Sequence, residues 1–152
     1  MKNIVVIGGG PSGLEASANL HKMGYNVILV EKSPALGGHL AKWDRLFPQG
    51  IPAKDVLEGM ISNINGVKYF LNANVQSINA LGKSYNVILD NGITVLADAV
   101  LFATGFDLFK AEKKEEYGYG IYERVITNAD LENWFRTKED SRVANNPKRI
   151  GF

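Results

Sequence analysis

Cysteine is absent from this 152-residue chain. That removes disulfides, thiolate metal sites, iron–sulfur ligation and redox dithiols from its own chemistry. An excess of either charge is lacking too. The formal net charge is +1, so no strong field directs the chain to nucleic acid or to an acidic membrane surface. Long hydrophobic runs are missing. The early apolar run covers only Ile4 to Ile7, far short of a signal-peptide core, and no window approaches the ~18 apolar residues of a membrane span. Histidine occurs only at positions 21 and 39, without metal-ligand spacing. No serine sits in a nucleophile elbow. No metal site and no catalytic residue are therefore expected. A soluble, cytoplasmic protein without membrane insertion or a nucleic-acid partner is predicted.

Glycine, by contrast, is concentrated where it matters. The stretch "VVIGGGPSGLEAS" runs from an apolar strand into Gly8-Gly9-Gly10-Pro11-Ser12-Gly13. Gly8, Gly10 and Gly13 fit G-x-G-x-x-G. The first allows a tight turn, the second lets backbone approach a pyrophosphate, and the third packs helix against strand. Pro11 and Ser12 open the helix, whose N-terminus offers free N–H groups and a positive dipole end to phosphates. The flanking pattern supports this. Asn3 to Ile7 reads as a buried parallel strand and Pro11 to Met23 as a helix with Gly13, Ala16, Ser17 and Leu20 on one face. Gly24 is placed as its cap, and Asn26 to Val30 is a second strand ending at Glu31. Glu31 lies 18 residues after Gly13, near the spacing at which an acid receives ribose hydroxyls. Lys32 follows it, read either as a neighbour of adenine or as a solvent-facing charge.

Downstream, "GGHLAKWDRLF" suggests a short helix reaching Leu46, broken by Pro48, Gly50 and Pro52. Asp55 to Ile64 reads as a helix and Val67 to Leu71 as a strand. Tyr85 to Leu89 and Thr94 to Leu96 flank Asp90-Asn91-Gly92, a hairpin signal. Ala99 to Ala103 is a further buried strand, running into Thr104-Gly105. Thr127 and Asp130 predict a capped helix to about Phe135. Residues 1–136 are expected to form one domain. Residues 137–152 look like a polar linker with the start of a further module, as in a piece cut from a longer protein.

The glycine fingerprint alone does not separate NAD from FAD. The pair Gly37-Gly38 and the segment "LFATGFD", with Ala103, Thr104 and Gly105, do so by resemblance. With the opening stretch they resemble the FAD domain of flavoproteins with two dinucleotide-binding domains, relatives of glutathione and thioredoxin reductases. The resemblance covers residues 1 to about 107. It implies an α/β fold: a Rossmann-like FAD/NAD(P)-binding domain, its parallel sheet interrupted by an antiparallel β-meander at about 67–98. It implies FAD as cofactor, held at Gly8, Gly10, Pro11, Ser12, Gly13, Glu31, Lys32, Gly37, Gly38, His39, Val75, Ala103, Thr104 and Gly105. Val75 stands where family members offer backbone groups to adenine.

A narrower likeness lies in "GGHLAKWDRLFP" and "ATGFDLFKAEKKEEYGYGIYERVITNADLENWF", which resemble the A-type subunit of heterodisulfide reductase and the flavin subunits of the quinone-interacting membrane-bound oxidoreductase complex. It implies a flavin-dependent oxidoreductase domain taking part in electron transfer, with further domains and electron-transfer subunits as partners and a homo-oligomer among the possible assemblies. Two features depart from those relatives. No cysteine follows "LFP", and no dithiol follows the glycine pair, so neither cluster ligation nor dithiol exchange belongs to this chain. Family members also complete the flavin site with a later segment, so weak or absent FAD in the isolated domain is compatible with the resemblance. Two other readings stand beside it. One is an ADP- or dinucleotide-binding scaffold without turnover. The other is an NAD-binding dehydrogenase domain, against which Gly37-Gly38 and the Thr104-Gly105 strand end argue. No Tyr-x-x-x-Lys pair of the short-chain dehydrogenases is present. Trp43 and the tyrosines at 117, 119 and 122 read as packing or interface aromatics, and His21 as a surface residue.

Overall fold

The computed structural model describes residues 1–139 and Gly151. The chain forms two compact units, one of Met1–Ala41 with Lys54–Phe106, the other of Lys42–Ala53 with the described part of Asp107–Phe152. The linker and further module expected over 137–152 fall largely outside the described residues.

The first unit opens as its residues dictate. β1 (Asn3–Ile7), α1 (Pro11–Lys22) and β2 (Asn26–Val30) form a βαβ unit, with β1 and β2 parallel from Asn3 opposite Asn26 to Ile7 opposite Val30. Proline occupies the first turn of α1, where its missing N–H costs nothing. The helix ends where Gly24 adopts φ +86°. Its buried face is Gly13, Leu14, Ser17 and Ala18. Leu14 and Ala18 take the places expected for Ala16 and Leu20, which are half-buried. The larger Leu14 packs in one core with Val6.

In the second unit, β3 (Arg45–Leu46) and β4 (Ile51–Pro52) form a two-stranded hairpin. The helix expected through Leu46 is not made. A single 3-10 turn covers Gly38–Lys42. Beyond it Asp44 N–H goes to Glu132 Oε2 at 2.9 Å and Arg45 caps the Gly50 carbonyl at 2.9 Å. Pro48 could not donate to a continuing helix. The chain then returns to the first unit with α2 (Ala53–Ser62), β5 (Lys68–Phe70), β6 (Val75–Leu81), β7 (Ser84–Leu89), β8 (Thr94–Ala97) and β9 (Ala99–Phe102). In the second unit α3 (Asn128–Thr137) starts on Thr127, which with Asp130 forms a complete capping box.

The parallel sheet has the order β5-β2-β1-β9, and β6-β7-β8 make a separate antiparallel sheet. The meander is therefore shorter than the expected 67–98, because β5 pairs parallel with β2 and belongs to the main sheet. Side-chain alternation separates two cores. Val6, Val27 and Leu29 point to α1 and meet Leu14, Ala18 and Ile64. Val5, Ile28 and Val30 point the other way and meet Val87, Leu89 and Ala97 of the meander. Helix, parallel sheet and meander thus form three layers within the first unit, an α/β fold of Rossmann type with an antiparallel insertion.

Candidate functional site

The carboxyl ends of β1, β2 and β9 meet at one edge of the sheet, where open α/β folds place their ligands. Gly8 turns the chain there at φ +108°, and a Cβ on it would overlap the Ala103 carbonyl oxygen. A Cβ on Gly13 would overlap the Gly8 carbonyl oxygen. These two glycines are demanded by packing alone. Gly10 is different. Its backbone is extended at φ −75°, which any residue adopts, and a Cβ there would meet nothing within 4 Å. The protein itself does not require glycine at position 10. The vacant space lies at the mouth of α1, where a bulky anion would need it. Gly9, the variable position of the fingerprint, is crowded: a Cβ would lie 2.6 Å from Leu36 Cδ2, a movable side-chain end, and 3.1 Å from Glu31 Cβ.

Glu31 is buried, 6% exposed. Its Oε2 accepts from Gly9 N–H at 2.5 Å and its Oε1 from Ser33 N–H at 2.8 Å. Each oxygen keeps a lone pair for a further donor. A buried carboxylate held by main-chain N–H groups beside a helix N-terminus is a fixed acceptor for hydroxyls.

Gly37-Gly38 approach the same loop. Gly37 N–H donates to the Gly9 carbonyl at 2.7 Å, and a Cβ on Gly38 would come within 3.2 Å of Gly10 Cα. His39 then reaches the end of β9. Its Nε2–H donates to the Phe106 carbonyl at 2.8 Å, and the two rings stack with centroids 4.8 Å apart. The glycine pair and the Thr104-Gly105 turn are thereby joined side to side.

An open cavity of about 490 Å³ lies at this edge. Of the residues predicted for cofactor binding, Gly8, Glu31, Lys32, Val75 and Thr104 line it. Gly10, Pro11, Ser12, Gly13, Gly37, Gly38, His39, Ala103 and Gly105 are not in its wall; they belong to the first turn of α1 and to the turns around it. The tyrosines at 117, 119 and 122 and Trp43 belong to the second unit. Sequence reasoning missed Asn74, Gln76, Ser77 and Phe102 in the wall. Phe102 carried a signal as the last residue of a strand running into the predicted site, as did Ile7 and Val30, which end β1 and β2 and also line the cavity. Among the described residues no group of His, Asp and Glu could hold a metal ion, and no helix is long and apolar enough to cross a membrane.

The residues present fit a dinucleotide. A buried acid stands ready for ribose hydroxyls, and a helix N-terminus lies behind a glycine whose missing side chain clears room for a pyrophosphate. The fold and this edge define a dinucleotide-binding α/β protein. Residues 1–137 match the pyridine nucleotide-disulphide oxidoreductase family, and the chain belongs to it. FAD is the cofactor of this family.

The chain is 23% identical to the second A-type iron-sulfur subunit of CoB–CoM heterodisulfide reductase in Methanopyrus kandleri, over 97% of this chain and 36% of that protein. A shorter match to a heterodisulfide reductase A-subunit-like protein of Archaeoglobus profundus reaches 45% identity over 31% of this chain and 7% of the relative. Among solved structures, it resembles L-proline dehydrogenase from P. horikoshii (TM-score 0.63, 27% identity), covering 68% of this chain and 22% of the other. Thioredoxin reductase of Lactococcus lactis is similar in fold (TM-score 0.65, 23% identity), covering 78% and 41%. The chain spans about a third of the length of the curated relatives it matches over most of its own length. The Methanopyrus alignment runs over 237 positions against 152 residues here, so that relative carries segments within the matched span that this chain lacks.

Proposed function

We propose that this chain is the FAD-binding domain of a flavin-dependent oxidoreductase of the heterodisulfide reductase A-subunit type, taking part in electron transfer. The observation that carries this reading is the pairing of Glu31, buried with free lone pairs in the cavity wall, with the unfilled space at Gly10. Residues 1–136 act as the binding domain. Glu31 receives the adenosine ribose, and the Gly8–Gly13 loop and the first turn of α1 take the pyrophosphate. Gly37-Gly38 let the chain pass close to the cofactor. When bound, the flavin ring supplies the redox chemistry, and the chain supplies position and electrostatics.

With no cysteine, the domain transfers no electrons through thiols or clusters of its own. Its donors and acceptors are other domains or electron-transfer subunits, and its setting is cytoplasmic. The relatives' length supports the larger assembly. The test is a visible spectrum of the purified chain, followed by release and chromatography of the bound cofactor. Released FAD, or uptake of added FAD, supports the reading. A chain that binds ADP but no FAD would instead be a dinucleotide scaffold without turnover. A chain preferring NAD over both would overturn the reading.

A further inference from the structure

The antiparallel sheet β6-β7-β8 has two edges, and the chain treats them differently. The β8 edge is occupied from within at Leu96, whose carbonyl accepts from Asn3 Nδ2–H at 3.2 Å. Asp98 N–H then donates to the Asn3 carbonyl at 2.8 Å. The β6 edge is open: among the described residues no strand lies beyond β6. The register fixes which groups that edge offers. The two-residue turn Gly82-Lys83 joins β6 to β7, with Leu81 opposite Ser84, Ala80 opposite Tyr85, Asn79 opposite Asn86 and Ile78 opposite Val87. Such a turn closes on a hydrogen-bonded pair, and bonded and open pairs then alternate. Leu81 and Asn79 therefore direct their main-chain groups to β7, while Ile78 and Ala80 direct theirs to the free edge. A β-bulge at Gln76, unpaired between Val75 and Ser77, ends the regular stretch.

Free sheet edges are ordinarily guarded by charge or proline. This one carries neither from Tyr69 to Gly82, and Asn79, Ala80 and Leu81 are exposed. The geometry points to the β6 edge as a homodimer interface, on which β6 of a second copy pairs antiparallel about a two-fold axis at Asn79. The product is one continuous sheet with three strands from each copy. A second copy fits this edge for three reasons. An axis at Asn79 sets Ile78 opposite Ala80 of the second copy, and Ala80 opposite its Ile78. Both outward pairs then exchange hydrogen bonds, and each large side chain meets a small one. An axis one residue to either side would draw the bulged Gln76 or the turn residue Gly82 into the pairing. The uncharged run also brings no like charges together, and the contact is isologous, as a two-fold dimer requires. The occupied β8 edge stops the sheet at two copies. A contact of this size makes a weak, reversible dimer.

The test is sedimentation equilibrium of the full chain over a range of concentrations. Wild type should show reversible monomer–dimer association in the micromolar range. Asn79→Lys and Asn79→Glu each set like charges across the axis and should weaken the dimer by about fivefold, the upper end for one cross-strand pair. An equimolar mixture of the two should associate more strongly than either alone, because Lys then faces Glu. Ala80→Pro deletes an outward N–H and leaves the ladder to β7 intact. It removes one hydrogen bond from each copy's side of the contact and should weaken the dimer by about tenfold or more. A wild type that stays monomeric, or that grows past two copies, overturns the inference. So does a dimer indifferent to both Asn79 variants, or a mixture no more associated than its components. Circular dichroism separates loss of pairing from loss of fold. If Ala80→Pro fails to fold, the Asn79 variants decide the question, because they change an exposed side chain.

Discussion

The carboxylate of Glu31 grips the glycine loop: its Oε2 accepts the Gly9 N–H at 2.5 Å, from a residue 22 positions earlier. Strand end and glycine loop are thus one construction. Removing the carboxylate should do two separable things. Glu31→Ala leaves a buried N–H without partner, costing about 1–3 kcal/mol of stability, and deletes the proposed ribose acceptor. Glu31→Gln restores one carbonyl oxygen and should recover part of the stability. Its ADP affinity should stay about tenfold or more below wild type, the worth of a charged hydrogen bond. Thermal melts and ADP titrations read the two effects. Equal ADP affinity in wild type and Glu31→Gln would remove the acid from the site.

Gly10 and Gly13 predict opposite outcomes for the same substitution. Gly13→Ala drives a Cβ into the Gly8 carbonyl, so α1 must lift from the sheet, an overpacking cost of about 1–3 kcal/mol. Gly10→Ala meets no protein atom within 4 Å, and its stability should stay within about 0.5 kcal/mol of wild type. Its ADP and FAD affinity should nevertheless fall by about tenfold or more, the worth of a lost contact to a charged group. A melting curve and a binding isotherm on each variant are sufficient. Unimpaired binding in Gly10→Ala would mean that the pyrophosphate lies elsewhere.

The His39–Phe106 stack should register as a coupled pair. An aromatic pair is worth about 0.5–1.5 kcal/mol beyond burial. A double-mutant cycle of His39→Ala and Phe106→Leu should therefore give a coupling of about 1 kcal/mol in chemical denaturation. Additive effects would show that the two rings merely coincide.

The capping box of α3 makes a local prediction. Thr127 Oγ1 accepts from Asp130 N–H at 3.2 Å, and Thr127 N–H donates to Asp130 Oδ2 at 2.8 Å. Thr127→Ala should cost about 1 kcal/mol, seen as faster amide exchange in the first turn of α3. Unchanged exchange there would deny the box a stabilising role.

Much of this architecture is legible in the sequence, for physical reasons. Strands buried on both faces, as β1 and β2 are, read as continuous β-branched runs. The packing of Gly8 and Gly13 is strict enough to leave a sequence fingerprint. Asp90-Asn91-Gly92 signals its hairpin because Gly92 must adopt φ +83°. Other elements leave weaker traces. β6 escapes a reading of the sequence because the bulge at Gln76 breaks the two-residue alternation. The β3–β4 hairpin has two residues per strand, too few for any period to show. Gly9 sits at a variable place of the fingerprint, and its crowding by Leu36 and Glu31 shows only in three dimensions. Gln76 could not be found without the ladder register.

β1 lies between β2 and β9 in the sheet, yet β9 is made long after β2. During synthesis, at roughly 5–20 residues per second, Gly8 waits on the order of 5–20 s for the Ala103 carbonyl that closes its turn. For that interval the nascent βαβ unit exposes the bare edge of a strand of valine and isoleucine, an edge prone to pairing with other chains. Among the described strands β9 emerges last, and it completes the edge that carries the candidate site. A newborn chain therefore completes its candidate site in the same step that covers the bare edge of β1.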